Sequence, residues 1–161
     1  MNIQYDSLAR KYDGLQFRFS RQEEWQDYIN AIQPVYDAAT RTVGQIGGLM
    51  ILRESSGVFD VLYQMQQSLS EQVSHQKMLL QAVKVPPMAR SHHHHLMIAM
   101  SRMEALAAEI DTHILARDVS PARSENWLSV LGGISKILRC VADPWNGLQP
   151  LAFNGACACC S

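Results

Sequence analysis

The stretch "KVPPMARSHHHHLMIAMSRMEAL", residues 84–106, decides the fold that the sequence predicts. Pro86–Pro87 should end a helix at about Val83, because a residue that precedes proline avoids the α region. Pro87 can then occupy the first turn of the next helix, where its missing N–H is not needed. Helices joined by so short a connection are antiparallel neighbours. The stretch therefore predicts a helical hairpin.

Both arms of this hairpin carry apolar residues at helical spacing, which predicts that each arm packs by one face. The series in the first arm is Val58, Leu62, Met65, Leu69, Val73, Leu80 and Val83, with Gln76 interrupting it. The series in the second arm alternates steps of three and four residues and consists of Ala89, His92, Leu96, Ala99, Met103, Leu106, Ile110 and His113.

A helix is also predicted upstream of the hairpin, beginning at Ser20, which forms a capping box with Glu23. Its apolar series is Trp25, Tyr28, Ile29, Ile32, Val35, Tyr36, Ala39, Val43 and Ile46. Pro34 lies within this series and is expected to kink or divide the helix. Residues 1–19 are interpreted as an N-terminal arm, either extended or forming a short strand at "LQFRF".

The glycine-containing segment 44–57 allows two interpretations. We favour a helix that breaks near Ser55–Gly57, because the flanking segments are strongly helical. Alternatively, "LMILR" and "VFDVLY" around "ESSG" form a β-hairpin.

A last helix is predicted to begin at Ser120, the cap, and Pro121, its first residue. Its inward series is Trp127, Leu131, Ile134, Leu138 and Val141. Gly132 and Gly133 each weaken a helix by roughly 1 kcal/mol relative to alanine, so a close neighbouring backbone would explain them. Asp143–Pro144 should end this helix, because proline cannot continue it.

Together these segments predict an all-α fold, an antiparallel bundle of about four helices in a single domain that spans residues 1–161. A tight turn is expected at Asn146–Gly147. The cysteine-containing tail, residues 145–161, is expected to be non-helical. Cys140 is interpreted as a small core residue. The tail is expected to dock on the bundle through four apolar residues, Trp145, Leu148, Leu151 and Phe153.

Composition excludes several classes of protein. The chain has 161 residues, of which 47% are hydrophobic and 18% charged, so disorder is not expected. A net charge of -1 offers no electrostatic basis for binding nucleic acid. No apolar run approaches the ~20 residues that cross a membrane, and no signal-peptide pattern opens the chain. We therefore expect a cytoplasmic protein.

Three of the four cysteines, Cys157, Cys159 and Cys160, lie within the last five residues. Thiolates are preferred ligands of Cu(I) and Zn(II), and three of them can complete a trigonal Cu(I) site. Three other interpretations remain open: covalent modification of the tail, reversible oxidation of the adjacent pair Cys159–Cys160, and simple packing of small residues.

The histidine run suggests a second metal site. If the hairpin turns at Pro86–Pro87, His75 comes within about a turn of His95, and Glu71 shares a helix face with His75. Glu71, His75, His92 and His95 could then converge between the two helices as ligands for zinc, copper or iron. Alternatively, the histidines are hydrogen-bonded core-edge residues or a solvated surface run.

The sequence carries no catalytic motif such as GxSxG, Walker A, GxGxxG or CxxC, so a non-enzymatic protein is favoured. The leading hypothesis is a helical-bundle protein that binds a soft or borderline metal ion, copper or zinc, through the tail thiols, the histidine cluster or both. The alternative is an interaction module or maturation substrate, whose partner is a protein or a modifying enzyme. A metal-dependent enzyme ranks third.

Overall fold

The computed structural model describes the backbone of residues 4–56, 59–116 and 120–150, and the side chains of residues 21–51, 67–116 and 120–150. Within these ranges the chain forms four α-helices and two short 3-10 turns. The helices are α1 (Gln4–Ser56), α2 (Phe59–Gln81), α3 (Arg90–Leu115) and α4 (Pro121–Cys140), and the 3-10 turns are Pro87–Ala89 and Pro144–Asn146. The all-α prediction is confirmed.

The four helices pack in a ring. α2 packs against α1 and α3, and α4 packs against α3 and α1, so each helix has two main neighbours. The core lies along the centre of this ring. Its largest fully buried side chains are Trp127, Tyr36, Ile29, Ile32, Ile46, Leu80, Leu96, Met100, Met103, Ile134 and Leu148.

The predicted hairpin between α2 and α3 is confirmed. α2 ends at Gln81, and the chain passes through Pro86 in an extended conformation, with φ of -68° and ψ of 154°. Pro87 opens the 3-10 turn that leads into α3. The proline pair therefore acts as expected, since it ends one helix and begins the next.

The prediction for α4 is correct at its start and along its inward face. The Ser120 hydroxyl accepts a hydrogen bond from the Arg123 N–H, and Pro121 is the first helical residue. The five predicted inward residues are all buried. The reason given for Gly132 and Gly133 is wrong. A Cβ at Gly132 would meet nothing within 4 Å, and one at Gly133 would meet only the Arg102 side chain, at 3.9 Å.

The predicted start of α1 is wrong, and so is one of the two alternatives for Pro34, division of the helix. The helix begins at Gln4, not at Ser20, so residues 4–19 are helical rather than an extended arm or strand. This segment contains no proline that would stop the helix, and a capping-box pair does not exclude a helical position. Pro34 does not divide the helix. The buried neighbours Val35 and Tyr36 offset the hydrogen bond that a proline removes.

The break near Ser55–Gly57 is confirmed, because α1 ends at Ser56 and α2 begins at Phe59. The β-hairpin interpretation of this region is wrong, since both of its supposed strands lie in helices. In the parts of the chain described, no helix is both long and apolar enough to span a lipid bilayer.

Candidate functional site

His92 lies where α1, α3 and the end of α4 meet. Its Nε2 is 2.8 Å from the carbonyl oxygen of Val141, and its Nδ1 is 3.0 Å from the hydroxyl of Tyr28. Because a carbonyl oxygen only accepts, Nε2 carries the hydrogen and donates it. Nδ1 of the neutral ring then accepts from the Tyr28 hydroxyl. Both ring nitrogens therefore form hydrogen bonds, and these bonds fix the neutral ring in the tautomer that carries its hydrogen on Nε2.

Aromatic contacts hold the ring in place. Trp25 and Tyr28 both meet His92 edge-on, with ring centroids 5.4 Å and 5.6 Å away. His93 lies beside them, with its Nδ1 3.5 Å from the Tyr28 hydroxyl. We call these four residues, Trp25, Tyr28, His92 and His93, the aromatic junction.

The aromatic junction is uncharged at neutral pH. Burial lowers the pKa of His92, although the Val141 carbonyl and the Asp143 carboxylate oppose this. Burial also lowers the pKa of His93, and the neighbouring His92 adds to that shift. Burial raises the pKa of Tyr28 above its ordinary value, so the hydroxyl keeps its hydrogen and remains a donor.

The junction anchors the turn that follows α4. One carboxylate oxygen of Asp143, Oδ2, accepts hydrogen bonds from Trp25 Nε1 at 3.3 Å and from Asn146 Nδ2 at 2.6 Å. The backbones of Asp143 and Leu148 exchange two hydrogen bonds, and the Leu148 side chain is fully buried. Residues 143–148 are thus fixed to the bundle, which fits the predicted docking role of Leu148.

The predicted turn at Asn146–Gly147 is confirmed. Gly147 has a φ of 106°, a left-handed conformation that favours glycine. A Cβ at this position would lie 3.2 Å from Nε2 of Gln33, which also donates to the Gly147 carbonyl oxygen at 3.4 Å. The turn therefore requires glycine for both its conformation and its close contact with α1.

The structure does not bring the predicted histidine site together. His92 faces α1, whereas Glu71, His75 and His95 are exposed. His95 Nδ1 lies 2.7 Å from the carbonyl oxygen of Ser91, within its own helix. Across the described ranges, no three His, Cys, Asp or Glu side chains are grouped in a way that could hold a metal ion. His95 is turned about 60° from His92 around α3, which moves it from the half-buried edge to the surface, and Glu71 and His75 lie on an exposed face of α2.

Of the four cysteines, the structure describes Cys140. Cys157, Cys159 and Cys160, together with Leu151 and Phe153, lie outside the described residues. Cys140 is exposed, so its interpretation as a core residue is wrong. Trp145 does not dock on the bundle as predicted, since its side chain is 98% exposed. Leu148, rather than Trp145, anchors the chain in this region.

The sequence placed His92 on the inward face of α3 but did not reveal its partners. Tyr28 and Trp25 are on the predicted inward series of α1, which was the available signal. Their contact with His92 depends on how the helices pack, and Val141 contributes through its backbone, which no sequence pattern shows. The comparisons identify no relative: no known family model, curated protein or solved structure matches this chain.

Proposed function

We propose that this chain is a non-enzymatic helical-bundle protein that binds a soft or borderline metal ion, Cu(I) or Zn(II), through Cys157, Cys159 and Cys160. The observation that carries the proposal is the presence of three thiols in the last five residues of a chain whose preceding turn is anchored. Thiolates bind both ions strongly, and three can complete a trigonal Cu(I) site.

The anchored turn supports this proposal by limiting where the thiols can lie. Leu148 is buried, so the tail leaves the bundle from a fixed point. Even fully extended, residues 149–157 span at most about 30 Å. This span limits how far the first of the three thiols, on Cys157, can lie from the buried Leu148.

The thiols carry the proposal rather than the histidines. A histidine ligates through a ring nitrogen that has a free lone pair. In His92 one nitrogen donates to Val141 and the other accepts from Tyr28, so ligation would break a hydrogen bond in a partly buried site. We also propose that the protein is cytoplasmic, because thiols remain reduced in the cytoplasm and can then act as ligands.

A competition titration with a Cu(I) chelator tests this function on the reduced, metal-free protein, purified without an affinity tag. We expect tight binding that is lost in Cys157→Ser and Cys159→Ser and weakened in Cys160→Ser. Cys140→Ser is the matched control, because this exposed thiol is outside the proposed site and should leave the affinity unchanged. Equal affinity in a variant truncated after Gly155 would exclude the tail as a metal site.

A second candidate is an interaction module or maturation substrate whose tail is covalently modified. The observation that favours it is Trp145, a large apolar side chain that is 98% exposed at the start of the tail. Exposed aromatic residues are frequent anchors in protein interfaces. Intact-mass analysis of protein from its native source tests this function. A mass increase on the tail cysteines that is lost in Trp145→Ala would support it, and an unmodified mass would count against it.

A further inference from the structure

A groove of about 390 Å³ lies between α1 and the connection from α2 to α3. Its volume falls within the range typical of binding sites. Its lining residues are Glu24, Asp27, Tyr28, Ala31, Val83, Lys84, Val85, Pro86 and Pro87. Most of these offer apolar surface, and the charged ones are Glu24, Asp27 and Lys84.

The two carboxylates of the groove are unpaired. Glu24 and Asp27 are three residues apart, so they share one face of α1 and lie one turn from each other. Both are exposed, and neither forms a hydrogen bond or ion pair with another described residue. Lys84 likewise has no ion pair within the described ranges, so the groove has one excess negative charge.

We propose that this groove docks an arginine-bearing segment of a partner protein. The aliphatic stem of an arginine would lie against Val83, Val85 and Pro86, as long charged side chains do on apolar surfaces. Its guanidinium would donate to the carboxylates of Glu24 and Asp27. Arginine fits better than lysine, because its planar fork of donors can serve two carboxylates at once.

The chain's own tail does not fit this site. Residues 151–161 contain no lysine or arginine, so they offer nothing to complement the two carboxylates. The proposed occupant is a separate protein that presents a basic side chain. Docking in this groove does not depend on the metal site proposed for the tail.

An NMR titration tests the chemistry of the occupant. The probe is a hexapeptide with one arginine flanked by leucines, and the control replaces arginine with citrulline, which keeps the shape but removes the charge. We expect saturable shifts at Ala31, Val83 and Val85 with the arginine peptide and at least tenfold weaker binding with the citrulline peptide. Equal binding of both peptides, or no shift at these residues, would overturn the proposal.

Two kinds of variant test the site itself. Glu24→Gln combined with Asp27→Asn should weaken binding at least tenfold, whereas Glu125→Gln, at an exposed position on α4, should not change it. Ala31→Phe should fill the groove and abolish binding while both carboxylates remain. Ala31 is exposed, so this variant should fold normally, which circular dichroism can verify. Unchanged binding in either groove variant would refute the site.

Sedimentation analysis separates a partner protein from a second copy of this chain. We expect the wild-type protein to have the same oligomeric state as the variant that combines Glu24→Gln and Asp27→Asn. A wild-type dimer that dissociates in this variant would assign the groove to a second copy and overturn the assignment to a separate partner.

Discussion

At the scale of single residues, His92 links α3 to α1 and to the end of α4 through its two hydrogen bonds. Replacing it with alanine leaves the Val141 carbonyl without its partner, and leaves the Tyr28 hydroxyl with only its longer contact, 3.5 Å, to Nδ1 of His93. Unsatisfied buried groups cost about 1–3 kcal/mol each, so we expect His92→Ala to lower the free energy of unfolding by at least that amount. Urea denaturation measures the change.

The control for this prediction lies two residues along the helix. His94 is exposed, so His94→Ala should change the free energy of unfolding by less than about 0.5 kcal/mol. An equal effect of the two substitutions would mean that the aromatic junction does not stabilise the fold.

The lowered pKa of His92 predicts how stability depends on pH. Between the folded pKa and the ordinary value of 6.5, the unfolded chain binds more protons than the folded chain. Stability should therefore be full above pH 6.5, fall as the pH drops below it, and reach its lower limit below the folded pKa. His93 contributes in the same direction. Urea midpoints at pH 7.5, 6 and 5 check this trend.

His92→Gln isolates the contribution of one ring, because glutamine does not titrate. The groups that act on His92 are Tyr28, Asp143, His93 and His95, and all of them remain in this variant. We expect its midpoint to depend less on pH between 5 and 6.5 than that of the wild-type protein. An identical slope would assign the pH dependence to other groups.

At the scale of elements, replacing Gly132 should stabilise α4. Gly132 is exposed and has no neighbour that a Cβ would meet within 4 Å, so Gly132→Ala should stabilise the protein by about 0.5–1 kcal/mol. Gly147→Ala is the matched control and should destabilise it, because this residue has a φ of 106°. Thermal denaturation of the two variants should give shifts of opposite sign.

Helix ends could be predicted from the sequence where a proline or a capping side chain determines them. Pro86–Pro87 and the Ser120–Pro121 cap act through local sterics and hydrogen bonds, which the sequence specifies directly. The start of α1 was not predictable from its capping box, since the same residues also fit inside a longer helix. The inward position of the half-buried His92 followed from its helical spacing, but its two partners come from distant elements. The predicted histidine cluster shows the same limit, because Glu71, His75 and His95 lie on exposed faces that spacing alone did not determine.

At the scale of the whole molecule, the ring of helices predicts a single cooperative unfolding transition. Trp25 contacts Asp143 at one end of α3, and Trp127 donates to Glu109 near the other end, so the two indoles report on opposite ends of the bundle. We expect circular dichroism and tryptophan fluorescence to give the same denaturation midpoint. Trp145→Phe removes the exposed indole and should leave that midpoint unchanged. Two separate transitions would show that the ends unfold independently.

The contact between the first and the last helix also has a consequence during synthesis. The hydroxyl of Tyr36 donates to the carbonyl oxygen of Leu138, which is 102 residues later in the chain. At about 5–20 residues per second, a ribosome needs on the order of 5–20 s to make that interval. Throughout this time the face of α1 that α4 will cover remains exposed, although α2 can already pack against α1. The nascent chain should therefore be most susceptible to aggregation, and most accessible to chaperones, until α4 has left the ribosomal exit tunnel.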